Sequence, residues 1–325
     1  MKKVLLSLVA LGLLSGAGVI DAKAADNWPA KEIRMYVGFT AGGAVDLMAR
    51  SVQAKLSEKL GVPVIVENYP GGKGRIVHNK FLTADREGYT IFIQSQANLT
   101  LTMATDENKY KLEDIAFINA NWIDPNIVVA RKALGWKSFA DMVEAARKEP
   151  GKYSIGYAAA ASFLCEIMEK ENIPLKYIPY SNGNEARMAL MGNHIDMSAG
   201  GADGFLPVRD ISDALCTFWT EPNQLYPEGN LVADVNAKLG MKLPVNAVIR
   251  FFAVHNDVRK NYPERFAKLV KAFKDVSDDP EFQAFCDKTR IGRSWYGPDQ
   301  TFEKVKVDVD YWLPIIKESL KKAKK

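Results

Sequence analysis

The chain has 325 residues, with 43 lysines and arginines against 39 aspartates and glutamates and a net charge of +4. So balanced a charge gives no basic face for a nucleic acid. Three widely separated cysteines (Cys165, Cys216, Cys286) and three scattered histidines (His78, His194, His255) form neither a disulfide framework nor a zinc spacing.

Residues 1–24 read as an export leader: Lys2 and Lys3, an apolar run from Val4 to Leu14, and the small-x-small site Ala22-Lys23-Ala24. The apolar run is too short to span a bilayer. Cleavage after Ala24 predicts a periplasmic protein, and with no cysteine following the site, no lipid anchor is expected.

The rest alternates strand and helix. Ile33 to Phe39 reads as a buried strand. Val45 to Leu60 reads as a helix with Leu47, Val52, Leu56 and Leu60 on one face. A strand over Val62 to Glu67, the loop Pro70 to Gly74, a helix over Ile76 to Ala84 and a strand over Thr90 to Ile93 follow. "SQANLT" reads as the turn beyond that strand. A second unit repeats the style without repeating the sequence. It has a strand over Asn126 to Ala130, a helix over Phe139 to Lys148 and a strand over Tyr153 to Tyr157. A helix over Ser162 to Glu171, a strand over Lys176 to Pro179, a helix over Asn184 to Met191 and a strand over Ile195 to Met197 complete it. The strand Val248 to Val254 then leads into helices over Pro263 to Phe273, Glu281 to Thr289 and Thr301 to Lys322. The last carries Phe302, Val305, Val309, Trp312, Ile316 and Leu320 as a core-facing stripe. Such alternation predicts an α/β fold with a mostly parallel sheet and ligands beyond the carboxyl ends of the strands.

Several turns could hold an anion. Thr40, Ala41, Gly42 and Gly43 are small residues between strand and helix, which either give the turn room or leave backbone amides bare for a ligand. Phe39 ends the strand, and Asp46 sits in the first helical turn, where a carboxylate caps amides or touches ligand. Ser162 is either an N-cap or a donor, and Asn98 either a solvated turn residue or a contact. Arg250 lies inside the apolar "AVIRFFAV". It needs a structural carboxylate, water or a ligand carboxylate. Trp122 and Trp219 read as core or hinge packing. "GGKGR" lacks the order of a phosphate loop and reads as an ordinary turn. Cys165 and Ser162 have no evident histidine base, so no enzyme is expected.

"VGFTAGGAVDLMARSV", "LGVPVIVENYPGGKG", "EGYTIFI", "YIPYSNG", "ALMGNHIDM", "DDPEFQAF" and "YGPDQTFEKV" together resemble, in order, the substrate-binding proteins of tripartite tricarboxylate transporters, the Bordetella uptake gene family. The resemblance implies a type II periplasmic-binding fold, two α/β lobes joined by crossover strands. Lobe 1 would combine 26–124 with 254–325, and lobe 2 would cover 125–253. It implies a small carboxylate ligand held by amides and hydroxyls of both lobes, contributed by residues 39–43, Asp46, Asn98, Ala160, Ala161 and Ser162; Asp203 and Arg250, the latter standing where the family commonly has Gly, are further candidate contacts of this chain. It implies delivery to membrane permease subunits by a monomer, with no cofactor and no metal. The same fold could instead serve a sensor for a membrane receptor. Leu164 and Cys165 stand where the family often has paired histidines, and Ala199-Gly200-Gly201 where it has Phe-Asp-Asn.

Overall fold

The computed structural model describes residues 27–105, 111–158, 161–292 and 294–322. The expected leader and Ala160 lie outside the described residues.

Strand β1 (Ile33–Val37) runs into helix α1 (Ala44–Leu60), whose Met48, Ala49, Val52 and Leu56 are buried against the sheet. Each large apolar side chain so buried contributes about 2 kcal/mol. Next come β2 (Val64–Asn68), α2 (Arg75–Leu82) and β3 (Thr90–Ser95). The stretch after β3 is a helix, α3 (Gln96–Thr105), not the expected turn; it packs against the C-terminal helix. Helix propensity carries this segment, since it contains neither Gly nor Pro.

The long β4 (Ile115–Arg131) follows, then α4 (Phe139–Lys148), β5 (Ser154–Tyr157), α5 (Ser162–Lys170), β6 (Lys176–Pro179), α6 (Gly183–Met191) and β7 (Met197–Gly201). β7 lies later than the strand expected over Ile195 to Met197. Asp196 fixes its start by accepting from the backbone amide of Ser154 at 2.9 Å and ion-pairing with Arg131 at 2.6 Å. Two strands, β8 (Ser212–Thr217) and β9 (Asn230–Leu231), and helix α7 (Val232–Leu239) complete this part. The chain returns through β10 (Ala247–His255), α8 (Asn256–Asn261), α9 (Pro263–Ser277), α10 (Pro280–Thr289) and α11 (Pro298–Lys322).

The sheet order is β2-β1-β3-β10-β4-β7-β5-β6, with β8 beside β4 and β9 beside β8. The sheet is mixed rather than mostly parallel. β1 lies parallel to β2 and β3, and β5 parallel to β6 and β7, but β10 and β4 are antiparallel to their neighbours in the middle. The long return of the chain, rather than a βα crossover, supplies β10, so its direction is free to reverse. β4 changes partners at Pro125: residues up to Pro125 pair with β10, and Asn126 to Arg131 pair with β7 and β8. A proline cannot donate to a ladder, which suits the point where one ladder ends.

Each end of the sheet has its own core. Met35, Met48, Leu56 and Phe273 cluster at one end; Phe139, Ile155, Leu164 and Met197 cluster at the other. Helix α11 joins both regions. Val305 and Val309 pack with Phe81 and Phe251, whereas Trp312 and Ile316 pack with the Phe139 cluster. Cys165, Cys216 and Cys286 are all free and buried, so no pair bridges. No helix among the described residues is long and apolar enough to cross a membrane.

Candidate functional site

The turn after β1 is held from below. Asp46 is buried, and its carboxylate accepts from the backbone amide of Gly42 (2.8 Å), Arg50 Nε (2.9 Å) and Asn68 Nδ2 (2.8 Å). Burial raises its pKa, but Arg50, Gly42 and Asn68 outweigh that and hold it below the usual carboxylate range. The expectation of bare amides from Thr40 to Gly43 is therefore corrected at Gly42 and Gly43. The Gly42 amide goes to Asp46 and the Gly43 amide to the Thr40 carbonyl at 3.2 Å. No side chain caps α1, so the amides left without an intrahelical partner are those of its first residues, Ala44, Val45 and Asp46, the first helical bond running from the Leu47 amide to the Gly43 carbonyl. Gly42 has φ +78°, a left-handed conformation that side chains resist. Asp46→Ala is expected to cost about 2 kcal/mol of stability through loss of these bonds. A denaturant midpoint equal to wild type would refute that role.

Arg250 is the second element. It projects from β10 beside Trp122 of β4, its guanidinium carbon 3.7 Å from the centre of the indole ring. Burial pushes its pKa down while Asp124 and Asp203 push it back up. Its Nη1 is buried without a hydrogen-bond partner. Asp203 accepts from Trp122 Nε1 at 3.2 Å, and its own amide donates to Asp124 Oδ1 at 3.1 Å. Burial raises the pKa of Asp124, the Asp203 charge raises it further, and Arg250 only partly opposes them. Arg250 and Asp124 line a cavity of about 170 Å3 together with Arg187, Phe205 and several small residues, among them Ala158, Ala161, Gly183, Gly200 and Gly201.

The third element is a neighbouring chamber of about 250 Å3 that contains both Asn98 and Ser162. Val248 lines this chamber and the Arg250 cavity alike. Asn98 at the start of α3 donates to Gln94 Oε1 of β3 at 3.1 Å, and Gln94 Nε2 is buried without a partner. Ser162 is the first residue of α5 rather than its cap, a position taken by Ala161.

A family model described as tripartite tricarboxylate transporter family receptor (TctC) matches residues 48–320. The chain belongs to the TctC receptor family. A UPF0065 protein from Cupriavidus necator is 27% identical over 277 residues, covering 82% of this chain and 81% of that one. Among solved structures, a TctC solute-binding protein from Polaromonas superposes with a TM-score of 0.77 at 19% identity, over 90% of this chain and 99% of the other. MatC from Rhodopseudomonas palustris, solved with bound malate, gives 0.63 at 17% identity, over 89% and 100%. The fold is that of the periplasmic solute-binding proteins of this family.

Within this TctC receptor the residues singled out in the sequence fall into groups. Arg250 meets Asp203 at the middle strands, Ala161 lines the Arg250 cavity, and Asn98 shares a chamber with Ser162. Residues 39–43 and Asp46 line neither cavity; Phe39 packs partly buried against the core around β1. Asp124 and Asp308 escaped the sequence reading. A carboxylate in the apolar strand "NWIDPNIVVA" is as anomalous as Arg250 in "AVIRFFAV", and that symmetry was the available signal.

Proposed function

We propose that this TctC receptor is exported to the periplasm, binds a small carboxylate-bearing ligand between two lobes, and delivers it to membrane permease subunits. The lobes are residues 26–124 with 254–325, and residues 125–253, closing about β4 and β10 as periplasmic binding proteins close about their hinges. One observation carries the carboxylate assignment: a buried guanidinium with an unpartnered Nη1 lines a cavity of mostly small residues that a second arginine, Arg187, also lines. A buried donor left unmade is costly, and a ligand carboxylate satisfies it with a charge-assisted bond. The helix start after Gly43 and the hydroxyl of Ser162 are the further contacts on either lobe, reached as the lobes close. Asp46 is assigned to holding the turn, because three donors already occupy its carboxylate. The malate in MatC belongs to the same chemical class.

The protein acts as a binder rather than an enzyme. Burial pushes the Cys165 thiol pKa up, away from the thiolate a nucleophile needs. Arg250→Met is expected to weaken carboxylates at least tenfold, about 1.4 kcal/mol, and the matching amides hardly at all. Calorimetry on folded variant and wild type checks this. Equal carboxylate affinity in both would sink the reading.

A further inference from the structure

We propose that the chamber between α3, α5 and α11 is a second subsite of the cleft, taking the ring-sized apolar body of a ligand whose carboxylate lies at Arg250. The favoured class is an aryl- or cycloalkyl-substituted monocarboxylate, not a short polyacid. This rests on the carboxylate reading of Arg250.

Size comes first. At about 250 Å3 the chamber exceeds the roughly 150 Å3 apolar cavity that suffices for benzene. Position comes second, because Val248 lines both spaces, while Ala161 faces one and Ser162, its neighbour in the chain, faces the other. The two spaces therefore adjoin at Val248, and we take one molecule to span them.

Wall chemistry decides the class. Leu101, Phe163, Val248, Trp312 and Ile316 supply apolar surface. The most prominent polar residue, Gln96, is already spent: its Nε2 donates to the Ala247 carbonyl at 2.5 Å and its Oε1 accepts from the Ile249 amide at 2.7 Å. Thr100 donates to the Gln96 carbonyl at 2.9 Å. No lysine, arginine or histidine lines the chamber among the described residues, and its one ionisable group is the carboxyl of Asp308, nine-tenths buried. A second ligand carboxylate entering here would find no counter-charge and would face an acid. Desolvating it unpaired is prohibitive.

The test is titration calorimetry of wild type, Ala97→Phe and Arg250→Met with phenylacetate, acetate and malate. Ala97 is exposed at the chamber wall, so a larger side chain fills the chamber without entering the core. The expected result is at least tenfold tighter binding of phenylacetate than of acetate or malate by wild type. Ala97→Phe should abolish that preference and leave acetate unchanged. Two results would overturn the subsite while the carboxylate reading stands, provided Arg250→Met still weakens every carboxylate. One is phenylacetate binding no tighter than acetate; the other is a preference that survives Ala97→Phe. Full-strength binding of phenylacetate and acetate by Arg250→Met would overturn both.

Discussion

Gly201→Ala is expected to destabilise the protein by at least about 3 kcal/mol, more than one methyl group ordinarily costs in a packed site. The backbone there is ordinary, with φ −63° at Gly201, so no conformational strain enters. The cost is steric and electrostatic. A Cβ on Gly201 would stand 2.1 Å from Asp124 Oδ2 and 2.7 Å from its carboxyl carbon. Real Cβ atoms do not approach so closely, so the carboxyl must move. Moving it breaks the bond from the Asp203 amide and disturbs the charges that face Arg250. The double variant Gly201→Ala/Asp124→Ala separates the two contributions, since removing the carboxyl makes room for the methyl. Denaturant unfolding should show the pair costing at least 2 kcal/mol, roughly, less than the sum of the singles. Additive costs would mean that Asp124 is not what Gly201 makes room for.

The same contact shows where the sequence was readable and where it was not. Alternating strands and helices identified most elements, because amphipathic periodicity is local: α4 and β6 fall at Phe139–Lys148 and Lys176–Pro179, as expected. The reversed middle of the sheet was not legible. Whether β10 lies parallel or antiparallel to β3 depends on a return path through a hundred residues of other structure. For the site, Arg250 stood out because a charge inside an apolar strand violates a local rule. Its surroundings did not, since Asp124, Asp203 and Trp122 are brought to it by pairing across β4 and β10 and by the end of β7. The Gly200-Gly201 pair looked like a lost family motif, yet Gly201 is small because a carboxyl lies against it. Asp46 was legible as a helix-start carboxylate, but only the fold reveals that Asn68 and Arg50 occupy it.

Asp308→Asn is expected to change how stability depends on pH. Asp308 sits on α11 at the chamber wall, and burial pushes its pKa from 3.8 up to about 7, against smaller opposing influences from Gln96 and Trp312. The folded protein therefore keeps this proton into the neutral range, while the unfolded chain releases it near 3.8. A carboxyl with a raised folded pKa contributes stability that is fully present below the unfolded value and is lost as pH rises through the folded one. The loss over that window amounts to at most about 4 kcal/mol. Asparagine keeps the shape and cannot ionise, so the variant should match wild type near the acid end and exceed it by up to that amount above neutrality. Carboxylates such as Asp46 and Asp196, whose pKa values are held low, act in the opposite direction and at more acid pH. They are common to both proteins and cancel in the difference. Urea unfolding of both across about pH 4 to 8 measures it, and stability curves that run parallel throughout would show that Asp308 ionises in the folded protein as readily as in the unfolded chain.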